Sequence, residues 1–124
     1  METTLSGKLY LETMLEARGL GFQVNLIYVG TNDVSINIAR VAKRVALDGH
    51  LVPEIDIRRR YQRSLDNLLM AIRRVDIAIL FDNSRPILLP GSGSYDLAAI
   101  IKGGSVRWFE PIPDWAKPLK TSFV

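Results

Sequence analysis

The sequence predicts an α/β fold, with a parallel sheet, flanking helices and a C-terminal β-hairpin. Residues 23–30 and 76–82 form nearly continuous apolar runs, which are typical of strands buried on both faces. Between the two runs, apolar residues recur at helical spacing. Strands that alternate with helices along a chain favour a parallel sheet.

The elements of the first half are predicted from apolar spacing and from turn residues. Thr3–Leu5 is predicted to end a short strand, and a helix is predicted from Lys8 to Arg18 with Ser6 as its N-cap. The apolar run Gln23–Gly30 is the next strand. From Val34 to Leu47 the apolar residues recur every three or four positions, which predicts a second helix that starts after a Thr-Asn-Asp turn.

The second half is predicted to contain one long helix, one strand and a hairpin. Pro53 opens a helix that runs to about Arg74 and carries an apolar stripe. Asp76–Asp82 is a second buried strand. Lys102-Gly103-Gly104-Ser105 separates the apolar segments 97–101 and 106–109, which predicts the hairpin. The proline-rich tail that follows is predicted to lie extended along the surface.

Composition excludes several kinds of site. The chain has 124 residues, no cysteine and a single histidine, His50, which excludes disulfides, thiolate metal sites, cysteine nucleophiles and multi-histidine metal sites. No apolar run approaches the roughly 20 residues of a membrane helix, and the first residues lack the basic-then-apolar pattern of a signal peptide. We therefore expect a cytoplasmic protein with no membrane partner.

Positive charge is concentrated in the middle of the chain. The net charge is +3, and eight of the eleven arginines lie between Arg40 and Arg74. Such a cluster favours an anionic partner, which could be a nucleotide, a nucleic acid or an acidic protein. The alternative is that these arginines form solvated faces of helices.

The motif that binds nucleotide phosphates in many kinases is absent. A Walker A loop has the pattern G-x-x-x-x-G-K-[ST], whose backbone N–H groups and lysine hold the phosphates. The one Gly-Lys pair is Gly7-Lys8, and residue 2 is Glu2 where the pattern needs glycine. The loop Gly91–Ser94 carries no lysine and precedes no predicted helix, so we interpret it as a plain loop.

Six short segments nevertheless occur in an order that is typical of one kinase family. They are ETTLSG from Glu2, LIYVG from Leu26, RVAKRV from Arg40, GHLVP from Gly49, RRYQRSLDNL from Arg59 and DNS from Asp82. Together they resemble the C-terminal half of zeta-toxin-type P-loop kinases, which phosphorylate UDP-N-acetylglucosamine. The resemblance covers about residues 2–84 and, more loosely, the hairpin and tail.

The resemblance implies a role for each of nine residues. The implied roles are substrate binding by Glu2, Thr4, His50 and Arg60, catalysis by Arg40 and Arg63, and nucleotide binding by Asp82, Asn83 and Ser84. Arginine guanidinium groups suit this chemistry, because phosphoryl transfer depends on positioning and on charge stabilisation. No metal ligand is implied.

Structural roles are the alternatives for several of these side chains and for their neighbours. Glu2 could be part of a frayed terminus, and His50 could cap a turn. Arg58, Arg59 and Arg60 cannot all face one site, because consecutive helix positions point in different directions. We expect the aromatic residues Tyr61, Trp108 and Trp115 to be packing residues.

The resemblance also implies one domain made of two parts. Residues 1–84 would be the kinase half, with part of a P-loop-kinase sheet and a helical lid at about 34–74, and residues 85–124 would be the hairpin and tail. The phosphate loop and the general base belong to the other half, so ATP with Mg²⁺ would bind only if that half were supplied on another chain. The unpaired sheet edge would be covered by a partner, by a second copy in a homo-oligomer, or by the hairpin after Ser84.

The predicted function is the nucleotide- or sugar-nucleotide-binding half of a small-molecule kinase that is inactive alone. One alternative is a non-catalytic protein-interaction module derived from such a kinase. A nucleic-acid binder is a weaker alternative, because the aromatic residues are not interleaved with the arginines as a base-stacking surface requires.

We predict that the isolated chain does not phosphorylate UDP-sugars with ATP above background. The reason is that a chain without a phosphate loop and a general base lacks the groups that position the phosphates and deprotonate the hydroxyl. An assay with radiolabelled ATP and UDP-N-acetylglucosamine measures this directly. Robust turnover by the purified chain would contradict the prediction.

Overall fold

A mixed four-stranded sheet and four α-helices make up the part of the chain that the computed structural model describes, residues 3–48, 52–85 and 95–123. In chain order the elements are α1 Leu9–Gly19, β1 Asn25–Gly30, α2 Val34–Asp48, α3 Glu54–Arg73, β2 Ile77–Asp82, β3 Asp96–Lys102, β4 Ser105–Trp108, a 3-10 turn Asp114–Ala116 and α4 Lys117–Ser122. None of the described helices is long and apolar enough to cross a membrane.

The strand order in the sheet follows the chain, β1-β2-β3-β4. Strands β1 and β2 are parallel, in a register that pairs Asn25 with Ile77 and Gly30 with Asp82. The pairs β2–β3 and β3–β4 are antiparallel. The predicted α/β class and the C-terminal hairpin are thus confirmed, whereas the predicted parallel arrangement holds only for β1 and β2 among the described strands.

The helix starts and the hairpin turn follow from local sequence. Asp33 accepts a hydrogen bond from the backbone N–H of Ser35 at 2.8 Å, and so caps the first turn of α2. The hydrogen bonds from Ser35 also lower the pKa of the Asp33 carboxyl. At the turn between β3 and β4, Gly103 and Gly104 have φ angles of 55° and 80°, which glycine adopts without steric cost.

Two predictions about the N-terminal segment are wrong. Thr3–Leu5 is not a strand, because Leu5 adopts a left-handed φ of 58° and its N–H is bonded to the Thr3 hydroxyl. Ser6 is not the N-cap of α1. Lys8 occupies that position without a side-chain cap, and Ser6 is hydrogen-bonded to Thr4.

The tail also departs from its prediction. It is not extended along the surface but forms the 3-10 turn and α4. Trp115, Ala116 and Leu119 from these elements are buried in the core. The burial of these apolar side chains stabilises the packing of the tail against the core. The proline-rich composition did not suggest this packing.

The core lies on one face of the sheet. Leu26 and Tyr28 of β1, with Ala78 and Leu80 of β2, are buried there, and they pack with residues of α1 and α3. The residues that alternate with them are more accessible, as shown by Ile27, which is 66% exposed. The prediction that residues 23–30 form a strand buried on both faces is therefore wrong for the single chain, in which only one face of β1 is buried.

We predict that Leu80→Ala lowers the free energy of unfolding by about 2–5 kcal/mol, because truncating a fully buried leucine leaves a cavity in the core. Leu47→Ala is the matched control, since Leu47 is 80% exposed and should change stability by less than about 0.5 kcal/mol. Urea denaturation followed by circular dichroism measures both. Equal losses for the two variants would contradict the position of the core.

Candidate functional site

A cleft of about 1120 Å³ runs along strand β1. Its lining includes β1 from Asn25 to Gly30, residues of α1 and the segment before it, and residues of α2 and α3. No strand within the described ranges pairs with the outer edge of β1, because the hairpin extends the sheet on the opposite side, next to β2. The cleft therefore lies at an open edge of the sheet.

Three arginines line this cleft: Arg40 and Arg44 from α2, and Arg60 from α3. Residues four positions apart lie on the same face of a helix, which brings Arg40 and Arg44 together. The Arg40 guanidinium donates a hydrogen bond to the carbonyl oxygen of Arg85 at 3.1 Å. Arg44 and Arg60 form no hydrogen bond or ion pair with the residues that the structure describes, so their donors are available to a ligand.

The other two arginines of the Arg58–Arg60 run face outward. Arg58 pairs with Glu54 at 2.7 Å, and Arg59 pairs with Asp56 at 2.8 Å, both within α3. These pairs are solvent-exposed and contribute little to stability. The prediction that this run contains solvated members is confirmed, and Arg60 alone of the three lines the cleft.

Hydroxyl groups fix the side of the cleft between β1 and α3. Tyr61 donates to the carbonyl oxygen of Thr31 at 2.7 Å, and the hydroxyls of Tyr28 and Ser64 lie 2.9 Å apart. Burial raises the pKa of both tyrosines, so their phenols stay protonated at neutral pH. Tyr61 therefore both belongs to the apolar stripe of α3 and anchors the end of β1.

Asp82 is engaged by the C-terminal segment. Its buried carboxylate accepts hydrogen bonds from the Trp115 indole N–H at 2.8 Å and from the Ser84 hydroxyl at 2.6 Å. The Ser84 hydroxyl also accepts a bond from the N–H of Asn32 at 2.9 Å. Asp82 thus holds the tail across the carboxyl ends of β1 and β2, and Ser84 links Asp82 to Asn32, which follows β1.

Trp115 lies directly on Gly30, the last residue of β1. A Cβ atom at Gly30 would stand 2.5 Å from the indole ring, closer than any real side-chain contact. The indole also packs against Tyr28, with ring centroids 5.5 Å apart. Glycine at this position is therefore required by the close approach of the tryptophan, and Trp115 is a packing residue as predicted.

The structure brings together some of the residues that the sequence suggested. Thr4, Arg40, Arg60 and Asn83 line the cleft, whereas Arg63, Asp82 and Ser84 are not part of its lining. Glu2, His50 and the loop Gly91–Ser94 lie outside the described residues. Arg44 and Ser64 also line the cleft, but the sequence analysis gave neither of them a functional role. The spacing of four residues between Arg40 and Arg44 is a signal that could have identified Arg44.

No group of three histidine, aspartate or glutamate side chains within the described ranges is placed to hold a metal ion. The cleft lining is instead apolar and cationic, with neutral hydroxyl and amide groups. Such a lining suits an organic anion, because the guanidinium groups bind its charged part and the apolar residues contact the rest.

Comparison with known proteins gives one partial match. An uncharacterized protein of Haemophilus influenzae (strain ATCC 51907 / DSM 11121 / KW20 / Rd) is 44% identical over 61 residues, which is 49% of this chain and 44% of that protein. The match therefore spans less than half of the relative. No protein-family model and no solved structure matches the chain.

We predict that Gly30→Ala displaces the Trp115 ring and destabilises the fold by about 1–3 kcal/mol, as overpacking does. Tryptophan fluorescence and urea denaturation report the two effects. Gly19→Ala is the matched control, because no atom lies within 4 Å of a Cβ placed there, and it should cause no loss of stability. An unchanged emission spectrum and stability in Gly30→Ala would contradict the placement of Trp115.

Proposed function

We propose that the cleft binds a nucleotide or sugar nucleotide through its phosphates, as the binding half of a small-molecule kinase similar to the zeta-toxin-type enzymes. The observation that carries this proposal is the convergence of Arg40, Arg44 and Arg60 on one cleft from two different helices. The resemblance of residues 2–84 to those kinases supports it from the sequence.

The electrostatics of the cleft favour a polyanion. Three guanidinium groups that face one concave surface repel each other, and an anion between them relieves this repulsion. Phosphate oxygens accept the two parallel hydrogen bonds that a guanidinium can donate. Arg44 and Arg60 make no polar contact with the described residues. A phosphate could therefore bind both guanidinium groups without breaking a hydrogen bond or an ion pair to those residues.

The position of the cleft in the fold agrees with a ligand site. In sheets with parallel strands, ligands bind beside the carboxyl ends of the strands. Arg40 reaches this end, because it bonds to Arg85, three residues after β2. Asn83, which follows β2 directly, lines the same cleft and offers an amide to a base or a sugar.

Binding is the activity proposed for this chain, and phosphoryl transfer is not. The arginines would hold and orient the phosphates, and Thr4 would contact the sugar part, as the resemblance implies. The sequence contains no Walker A loop to hold the β- and γ-phosphates of ATP. Transfer would thus require a phosphate loop and a general base from another polypeptide.

A protein-interaction module is the second candidate, and one observation favours it. Ile27 and Val29 of β1 are 66% and 45% exposed, although such residues are normally buried in a sheet with parallel strands. A module of this kind would use the apolar surface and would leave the arginines without a ligand.

We predict that Arg60→Ala weakens the binding of ATP or UDP-N-acetylglucosamine roughly tenfold or more, since a charge-assisted hydrogen bond contributes about 1.5–3 kcal/mol. Arg40→Ala should have a similar effect. Arg59→Ala is the matched control, because the neighbouring Arg59 pairs with Asp56 on the outer surface and should leave the affinity unchanged. Isothermal titration calorimetry of the wild type and the variants measures these affinities.

Titration with a short RNA at two salt concentrations separates the remaining candidates. A nucleic-acid binder would lose affinity steeply with salt and would be weakened to similar extents by Arg59→Ala and Arg60→Ala. A wild-type chain that binds neither the nucleotides nor RNA would favour the interaction module. Equal losses of nucleotide affinity in Arg59→Ala and Arg60→Ala would reject the cleft as the site.

A further inference from the structure

The chain leaves β2 through residues 82–85, which we call the β2 exit. Two parts of this segment belong to the candidate site. Asn83 lines the cleft, and the carbonyl oxygen of Arg85 accepts the hydrogen bond from the Arg40 guanidinium at 3.1 Å. The direction in which Arg40 points therefore depends on where the backbone of Arg85 lies.

No helix or strand fixes the backbone of Arg85. Strand β2 ends at Asp82, and Arg85 lies in a bend three residues later. The side chain of Arg85 holds it instead, because Nε and Nη2 donate to the two carboxylate oxygens of Asp96 at 2.8 and 2.7 Å. Two parallel bonds between a guanidinium and a carboxylate fix both the distance and the orientation of the two groups.

The strand register explains why Arg85 bonds to Asp96. Asp96 is the first residue of β3 and lies opposite Asp82 of β2, and two carboxylates in this arrangement repel each other. The Asp82 carboxylate is bonded to Trp115 and Ser84, whereas the Asp96 carboxylate binds the Arg85 guanidinium. Each carboxylate thus has its own partners, and the Arg85 side chain is directed to β3.

We propose that Asp96 is a positioning residue for Arg40, which it holds in place through Arg85. The contacts run from the Asp96 carboxylate to the Arg85 guanidinium, and from the Arg85 carbonyl oxygen to the Arg40 guanidinium. Neither Asp96 nor Arg85 lines the cleft, so their effect on a ligand is exerted through Arg40. This role rests on the proposed function, in which Arg40 binds a phosphate.

The expected effect is on affinity rather than on stability. Ordering a long arginine side chain when a ligand binds costs free energy, and an arginine that is already held avoids a cost of roughly twofold to tenfold in dissociation constant. The ion pair itself contributes little to stability, because the side chains of Arg85 and Asp96 are 61% and 48% exposed. Replacing Asp96 should therefore disturb Arg40 without unfolding the protein.

Nuclear magnetic resonance of the arginine side chains in the ligand-free protein tests the contact itself. The Arg40 signal is identified by its loss in Arg40→Ala. Asp96→Asn should speed the rotation and the hydrogen exchange of the Arg40 guanidinium, and Asp96→Glu should restore the slower rates because it keeps the carboxylate. Glu54→Gln is the matched control, since it breaks another exposed arginine pair, that of Glu54 with Arg58 at 2.7 Å, and it should leave the Arg40 signal unchanged.

Calorimetric titration with ATP tests the effect on binding. Asp96→Asn should weaken the affinity of the wild type roughly twofold to tenfold, and it should cause no further loss in an Arg40→Ala background, because both residues act on one contact. Urea denaturation checks that each variant is folded. Equal losses in the two backgrounds would overturn the proposal, since Asp96 would then act independently of Arg40.

The two measurements distinguish a failure of this role from a failure of the proposed function. A wild type that binds neither ATP nor UDP-N-acetylglucosamine would reject the function, while the Arg40 signal would still decide whether Asp96 holds that side chain. An Arg40 signal that Asp96→Asn leaves unchanged would overturn the positioning role even in a chain that binds nucleotides.

Discussion

The parallel pairing of β1 with β2 is the constraint on which the rest of the structure depends. Two parallel neighbours need a crossover connection, and here α2 and α3 provide it, with α3 packed over the core face. The antiparallel hairpin then extends the sheet beyond β2. As a result, the outer edge of β1 and the opposite face of the sheet are left without a covering element from the described residues.

The cleft and its arginines are consequences of this arrangement. Since α2 begins four residues after β1 ends, its first turns stay close to the carboxyl end of the sheet. The spacing of Arg40 and Arg44 then places both on one face of α2, and the return of α3 adds Arg60 from the other wall. Three cations from distant positions in the chain therefore meet at one concave surface. Within the described residues Arg44 and Arg60 have no acidic partner, whereas Arg58 and Arg59 on the outer surface pair with Glu54 and Asp56.

The C-terminal segment closes the carboxyl ends of the strands and couples them to each other. Trp115 lies on Gly30, donates its indole N–H to Asp82, and receives support from Asn32, which accepts a bond from the backbone N–H of Trp115 at 3.2 Å. The ends of β1 and β2 are thereby held by one aromatic side chain. Asp82 and Ser84 thus form hydrogen bonds that stabilise the fold. Asn83, which lies between them, lines the cleft. The nucleotide-binding role that the resemblance implies for all three residues stays a prediction.

The sequence by itself determined the elements whose signals are local. Helical periodicity located α2 and α3, apolar runs located β1 and β2, and the Gly103-Gly104 pair located the hairpin turn, because backbone geometry and side-chain direction follow from nearby residues. Only the tertiary structure decided the rest. Thr3–Leu5 pairs with no strand of the described residues. The tail becomes helical as Trp115 and Leu119 are buried, and Asp82 meets a tryptophan 33 residues away. Pairing, burial and the convergence of charges depend on residues far apart in the chain, and no local pattern encodes which of them will meet.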